Sequence, residues 1–164
     1  MPIFLPDVNV WIGLAVIEHA QHRQAIRWFE STSGDTLAFC RVTQMGFLRL
    51  LTNPHVMKSD ALTPQAAWRC LDRVYQETTP IFAPEPTLLE TALRGITSDP
   101  KAGPNLWTDA YLAAFAQLSG FTFVTFDRGV SRFKKTSIRI PDTRNSAKFG
   151  PPQRSKSGYG IISV

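Results

Sequence analysis

Cysteine is scarce in this chain, and the motifs of several large enzyme classes are missing. Only Cys40 and Cys70 occur among 164 residues, without CxxC spacing and in apolar surroundings. This arrangement favours reduced core thiols over a disulfide framework or a thiolate metal site. The sequence also has no GxSxG, GxxxxGK[ST] or GxGxxG pattern. Serine-hydrolase, P-loop and dinucleotide-binding chemistry therefore lose support.

Long hydrophobic runs are also missing. No stretch approaches the roughly 18 consecutive apolar residues of a membrane span, and the N-terminus lacks the basic-then-apolar pattern of a secretory signal. We therefore expect a cytoplasmic protein without membrane contact. A length of 164 residues with 43% hydrophobic content suits one globular domain around one buried core.

Acidic side chains are missing from the C-terminal segment. Residues 143–164 carry four basic and no acidic residues, whereas residues 1–142 carry 14 basic and 13 acidic ones. The segment is rich in Gly, Pro and Ser and has no helical or strand period. We expect a domain over residues 1–142 and a flexible basic tail over residues 143–164.

Apolar segments of strand type alternate with helical ones along the expected domain. Strands are predicted near residues 3–6, 36–40, 80–83, 121–126 and 137–140. Helices are predicted near residues 10–16, 19–30, 42–52, 64–76, 86–96 and 105–119, the last ending at Gly120. The core side chains expected on the second and fifth of these helices are Ala20, Ile26, Phe29, Leu88, Leu89, Ala92 and Leu93. The alternation predicts a three-layer α/β/α fold with a mainly parallel central sheet.

Three aspartates lie where strands of such a sheet meet helices or loops. Asp7 and Asp127 follow strand segments, and Asp109 lies in the first turns of a predicted helix. The carboxyl ends of parallel strands border the ligand crevice of an open α/β sheet, so these side chains can converge. Each alone has a simpler explanation as a helix cap or turn residue. Together they favour a site for a divalent cation.

Three segments that contain these aspartates resemble the PIN-domain family, specifically the VapC-type ribonuclease toxins of bacterial toxin–antitoxin pairs. They are Pro6-Asp7-Val8-Asn9-Val10-Trp11, Thr108-Asp109-Ala110-Tyr111-Leu112-Ala113-Ala114 and Val124-Thr125-Phe126-Asp127. The resemblance covers about residues 1–141. It implies a metal-dependent endoribonuclease that binds Mg²⁺ or Mn²⁺ through Asp7, Asp109 and Asp127, with Asn9 and Thr125 orienting ligands or water. It further implies an RNA substrate, an antitoxin partner and a homodimer.

One position departs from the family pattern. Many family members carry a glutamate on the helix after the second strand, where this chain has Gly46. Gln44 also has a side-chain oxygen, but it lies about half a helical turn from position 46 and would face elsewhere. We therefore expect three carboxylates at the site and leave the number of metal ions open.

Basic and aromatic residues supply candidate contacts, although each also has a simpler explanation as surface charge or core. The candidate RNA-binding residues are Arg41, Arg49, Arg128, Arg132, Lys134 and Lys135, and Arg139 belongs to the same basic cluster as the last four. The candidate protein-contact residues are Trp11, Phe47, Trp68 and Trp107. Aromatic residues of this size more often lie in the core.

Three alternative functions compete with the nuclease. Phosphatases of the haloacid-dehalogenase type use a DxD pair, whereas Asp7-Val8-Asn9 lacks the second carboxylate. A phosphate-receiver domain would show paired acids near its start and a lysine after a late strand. Neither class explains Asp109. The non-enzymatic alternative is a degenerate PIN-like module that binds RNA or protein, which Gly46 favours and the three aspartates oppose.

Overall fold

The computed structural model describes residues 1–32, 34–98, 103, 106–133 and 136–141, and in that part of the chain strands alternate with helices. The strands are β1 (Ile3–Pro6), β2 (Thr36–Phe39), β3 (Ile81–Phe82), β4 (Thr122–Val124) and β5 (Ile138–Arg139). The helices are α1 (Val8–Ala15), α2 (His22–Ser31), α3 (Arg41–Leu51), α4 (Pro54–Met57), α5 (Pro64–Thr78), α6 (Leu89–Ile96) and α7 (Leu106–Ser119). Tail residues 143–164 lie outside the described residues.

The five strands form one sheet in the order β3-β2-β1-β4-β5. Every pairing between them is parallel, which confirms the predicted fold class. The chain builds outwards from β1 to β3 and then returns to place β4 on the other side of β1. Because ligand crevices form where the strand order reverses, the carboxyl ends of β1 and β4 are the expected site.

Two apolar cores cover the two faces of the sheet and give the three layers. Alternate residues of one strand enter different cores: Phe4 packs with α1, α2, α3 and α5, whereas Leu5 packs with α6 and α7. This alternation follows from the two-residue period of a strand. The small residues of α7 that pack in the second core are Ala110, Ala113, Ala114 and Ala116, all 0% exposed.

Two of the aromatic residues that we considered for protein contacts belong to the core instead. Trp11 and Phe47 are both 0% exposed, so the prediction of surface contacts is wrong for them. Trp11 stacks on Phe39, with ring centroids 3.9 Å apart, and Phe39 stacks on Tyr75 at 5.4 Å. Burial of such large apolar rings outweighs any binding role that sequence alone suggests.

Local differences from the predicted elements have identifiable causes. Helix α2 begins at His22, after two hydrogen-bonded turns, and Ala20 is exposed while Ala25 and Trp28 are buried. Leu88 precedes α6 in a left-handed conformation and is 67% exposed, so it does not join Leu89 in the core. The predicted placement of Ala20 and Leu88 is therefore wrong.

The segment that we expected to be a loop after α3 contains helix α4. The Asn53 side chain accepts a hydrogen bond from the His55 backbone N–H, and Pro54 occupies the first helical turn. Asn53 and Pro54 therefore begin a helix as well as ending one. Helix α5 begins at a cap, because the Thr63 side chain accepts a hydrogen bond from the Ala66 backbone N–H. The predicted end of α7 at Gly120 is confirmed, with a φ of 68° there. Among the described residues, no helix is long and apolar enough to cross a membrane.

Candidate active site at the carboxyl edge of the sheet

The parallel register brings the first and third aspartates together. Pro6 pairs with Val124, and the backbone N–H of Asp7 donates to the Val124 carbonyl at 2.8 Å. Asp7 therefore lies level with Thr125, two residues before Asp127. Helix α7 leads into β4 and runs back along the sheet, so its first turn, which contains Asp109, begins at the same edge. The topology thus assembles three residues that are far apart in sequence.

Asp7 is the most tightly held of the three carboxylates. Its side chain is only 8% exposed, caps α1 and accepts a hydrogen bond from the Val8 backbone N–H at 2.6 Å. Its second oxygen accepts from the Thr125 hydroxyl at 3.2 Å. The same Thr125 oxygen accepts from the backbone N–H of Asp127 at 3.1 Å. Thr125, which is fully buried, therefore connects the loop of Asp127 to the carboxylate of Asp7.

The other two aspartates are more open and have different partners. Asp127 is exposed and caps the short 3-10 helix Arg128–Arg132, accepting from the Gly129 N–H at 2.7 Å. Asp109 faces Arg132, whose guanidinium lies 3.5 Å from its Oδ2. Sequence reasoning placed Arg132 only among the RNA contacts. The structure shows that it also neutralises part of the acidic charge.

Like charges and burial make ionisation of the carboxyl groups unfavourable at this edge of the sheet. The pKa of Asp7 is raised to about 6, mainly by burial and also by the negative charges of Asp109 and Asp127, while its hydrogen bonds from Val8 and Thr125 lower it. Burial also raises the pKa of Asp109, as does the charge of Asp127, whereas Arg132 lowers it. The carboxylates therefore repel one another, and a bound cation would reduce this repulsion.

The donor chemistry suits a hard divalent cation, because carboxylate oxygens are the ligands that Mg²⁺ prefers. Within the described ranges, however, no group of three His, Cys, Asp or Glu side chains is arranged so that it could hold a metal ion. Asn9 lies in the first turn of α1, next to the Asp7 cap, and is exposed. Its amide oxygen would be a neutral ligand at the edge of the sheet where the aspartates lie.

Many family members have a glutamate at position 46. In this chain, the side chain of Val8 fills the space that a residue larger than Gly46 would need. A Cβ built on Gly46 would lie 2.5 Å from Cγ2 of Val8. Val8 is the residue between Asp7 and Asn9, and its β-branched side chain has little freedom to move aside. Sequence reasoning noticed the missing glutamate but not the valine that fills its place. A pair of facing residues leaves no signal in one sequence.

The candidate RNA contacts are distributed unevenly around this edge. Arg41 begins α3 at the end of β2 and is exposed, and Arg128 is exposed immediately after Asp127. Arg49 is eight residues further along α3, which places it about 12 Å from Arg41 along the helix axis. Arg139, in β5, lies over the Phe4 ring at 5.6 Å from its centroid. Lys134 and Lys135 lie outside the described residues.

Comparison with known proteins agrees with this architecture. The model of the PIN domain matches residues 4–136, so this chain belongs to the PIN-domain family. Its relatives include ribonuclease VapC41 of Mycobacterium tuberculosis, 34% identical over 84% of this chain and 98% of that protein. Ribonuclease VapC38 of the same species is 33% identical over 84% of this chain and 94% of its own length.

Solved structures show the same fold at low sequence identity. VapBC2 from Rickettsia felis, bound to a DNA fragment from their promoter, gives a TM-score of 0.61 at 13% identity, covering 85% of this chain and 99% of the other. FitAcB from Neisseria gonorrhoeae gives 0.58 at 18% identity, covering 84% and 97%. At these identities the likeness concerns the arrangement of strands and helices. It agrees with the α/β/α layers described above.

The contact between Gly46 and Val8 predicts a stability coupling. Gly46→Ala should destabilise the protein by about 1–3 kcal/mol through overpacking, although alanine normally stabilises a helix interior. Val8→Ala should remove the clash, so the double variant should be more stable than the sum of the two single effects. Urea unfolding of all four proteins measures the coupling. Additive free energies would contradict the contact.

The buried charge of Asp7 predicts that its removal stabilises the protein. The native pKa of about 6 lies above the ordinary 3.8, so ionised Asp7 costs stability as the pH rises from about 4 through 6, on the order of 3 kcal/mol. In EDTA at pH 7.5, Asp7→Asn should therefore raise Tm by several degrees. At pH 4 the difference should be small. Thermal melts at both pH values provide the measurement, and a lower Tm for the variant at pH 7.5 would contradict the assignment.

Proposed function

We propose that this protein is a metal-dependent endoribonuclease of the VapC type, acting as the toxin of a type II toxin–antitoxin pair. The observation that carries the proposal is the placement of Asp7, Asp109 and Asp127 at one edge of the sheet, where the strand order reverses, with Thr125 connecting two of them. Membership of the PIN family and the ribonuclease names of VapC41 and VapC38 support the same reaction. The substrate is an RNA phosphodiester.

Asp7, Asp109 and Asp127 would hold Mg²⁺ or Mn²⁺, with Asn9 beside them. When bound, such a cation activates water for attack and offsets charge on the phosphodiester. The chain's own residues prepare this site. The Val8 N–H and the Thr125 hydroxyl orient the two oxygens of Asp7. These hydrogen bonds hold the carboxylate in place before any ligand arrives.

Positive charge near the aspartates supports the approach of RNA. Arg41 and Arg128 are exposed at the same edge of the sheet, where they can contact phosphates on either side of the reacting one. Arg132 has two roles in the proposal, because it pairs with Asp109 at 3.5 Å and is itself 48% exposed. A phosphate that binds Arg132 would release Asp109 for the cation. Arg49, Lys134 and Lys135 remain further candidate RNA contacts.

An antitoxin protein, a homodimer and a cytoplasmic location belong to the same proposal. The similar structures of VapBC2 and FitAcB support a protein partner. Trp68 and Trp107 are 49% and 60% exposed, and large exposed aromatics favour protein contacts. Trp107 precedes Asp109 by two residues. Because two residues are about half a helical turn, the two side chains face different directions, and a partner bound at Trp107 would lie beside the active site.

Cleavage of RNA by the purified protein tests the reaction directly. Activity should require Mg²⁺ or Mn²⁺ and be lost in EDTA. Asp7→Asn should abolish it, because the amide that replaces the carboxylate carries no charge for the cation. Asp72→Asn is the matched control, since Asp72 is an exposed residue of α5, and its activity should equal that of the wild type.

The outcomes of this cleavage experiment separate the candidate functions. Equal, metal-independent activity in all proteins would indicate a contaminant or another site. RNA binding without cleavage or any Mg²⁺ requirement would favour the degenerate binding module, whose affinity should fall with salt alone.

Because Thr125 connects Asp7 to Asp127, its substitution should affect both Mg²⁺ binding and RNA cleavage. Thr125→Val keeps the size and shape of the side chain but removes its hydrogen bonds to Asp7 and Asp127. Mg²⁺ affinity and cleavage should each fall by roughly 10–100-fold, as for other residues that orient metal ligands. Thr122→Val, in the neighbouring strand β4, is the control, because the described hydrogen bond of the Thr122 hydroxyl is to Ser137 and not to an aspartate. Calorimetric Mg²⁺ titration gives a readout that does not depend on turnover, and unchanged Mg²⁺ affinity would remove Thr125 from this role.

A further inference from the structure

An arginine lies on an exposed aromatic ring at the ends of β2 and β3, on one side of the aspartates. The guanidinium carbon of Arg41 is 4.6 Å from the centroid of the Phe82 ring, and a guanidinium N–H donates to the side-chain oxygen of Gln44. Arg41 is exposed and Phe82 is 40% exposed. Planar guanidinium groups and aromatic rings are surfaces on which nucleic-acid bases stack.

A hydrogen-bonded pair of side chains lies at the same end of the sheet. The Tyr111 hydroxyl donates to Oε2 of Glu85 at 2.9 Å, and Glu85 is exposed. The hydrogen bond therefore joins helix α7 to the loop after β3. It holds one oxygen of Glu85 and leaves the carboxylate with further acceptor capacity.

The strand register relates these two pairs to the aspartates. Phe4 pairs with Leu37, so Asp7 is level with Cys40, the residue before Arg41; Phe82 pairs with Phe39. Neighbouring strands are about 4.8 Å apart, which places the end of β3 roughly 10 Å from Asp7. This separation suits the nucleotide next to the one that carries the reacting phosphate.

The two pairs also lie toward opposite faces of the sheet. Phe82 is level with Phe39, which packs in the core with α3 and α5, whereas Tyr111 belongs to α7 on the other face. The Arg41 guanidinium lies over one face of the Phe82 ring, so a flat group across the ends of β2 and β3 would stack on the pair that they form. Glu85, three residues after Phe82, would then be available to its edge.

We propose that Arg41, Phe82, Glu85 and Tyr111 form a subsite for one unpaired RNA base beside the phosphodiester at Asp7. This inference rests on the proposed ribonuclease function and adds a base preference to it. Glu85 accepts a hydrogen bond from an exocyclic amino group, which cytosine, adenine and guanine carry and uracil lacks. The subsite therefore disfavours uridine.

A nucleobase fits these groups better than an apolar side chain of a protein partner does. A base covers the aromatic ring and also supplies a donor to the carboxylate, so no charge is buried without a partner. An apolar side chain seated on Phe82 would desolvate Arg41 and Glu85 without compensating either charge. The charges beside the ring thus favour RNA as the occupant.

The test is RNA binding in the Asp7→Asn background, where the RNA is expected to remain uncut. Fluorescence anisotropy with short oligomers of cytidine and of uridine at neutral pH gives both the affinity and the base preference. Phe82→Ala should weaken binding of the cytidine oligomer by on the order of tenfold, the effect of losing one base–aromatic stack. Phe82→Tyr should retain the affinity, which shows that a loss in the alanine variant reflects stacking and not misfolding.

Ile81→Ala is the matched control for the stacking residue. Ile81 precedes Phe82 on the same strand and is 41% exposed, but it points to the opposite face of the sheet. Its removal should leave RNA affinity unchanged. Glu85→Gln should bring the affinities for cytidine and uridine oligomers close to each other, because the amide can donate to uracil as well as accept from cytosine.

The outcomes separate the subsite from the nuclease itself. If Phe82→Ala binds both oligomers as the background protein does, the subsite is overturned, and the surface becomes a candidate for protein contact. If the otherwise wild-type chain cleaves RNA at the same positions with and without Phe82→Ala, the subsite is likewise overturned but the nuclease stands. If the wild type does not cleave RNA but Phe82→Ala weakens RNA binding, the subsite stands without the nuclease. Absence of RNA binding by the wild type would overturn both.

Discussion

The parallel pairing of β1 with β4 is the constraint on which the candidate site depends. This pairing places Asp7 level with Thr125, so that a buried hydroxyl reaches the Asp7 carboxylate and the backbone of Asp127 together. It also reverses the strand order, which opens the crevice at the carboxyl ends of the two strands. A shift of one residue would turn Thr125 to the other face and break its hydrogen bond to Asp7.

The same arrangement stores unfavourable electrostatic energy at the site. Asp7 is buried near two other carboxylates, and its raised pKa is the measure of that cost. The Val8 N–H, the Thr125 hydroxyl and Arg132 offset only part of it. Functional sites often combine local instability with binding capacity, because the ligand supplies the missing compensation. A divalent cation is the compensation that this group of oxygens would take.

The contact between Val8 and Gly46 shows how the fold accommodates the missing glutamate. Val8 occupies the space next to Gly46, so a larger residue there requires movement of the segment that carries Asp7. The proposed acidic site therefore has three carboxylates, with the Val8–Gly46 contact next to Asp7. The missing glutamate leaves the hydrogen bonds from Val8 and Thr125 to Asp7 in place.

The sequence by itself determined the alternation of strands and helices and marked the aspartates, because periodicity, caps and strand ends are local properties of the chain. The tertiary structure decided which large side chains face solvent: it buried Trp11 and left Leu88 and Phe82 exposed. It also paired Arg132 with Asp109, filled the space beside Gly46 and raised the pKa of Asp7. These properties depend on residues that the chain separates and only packing brings together, so no local pattern encodes them.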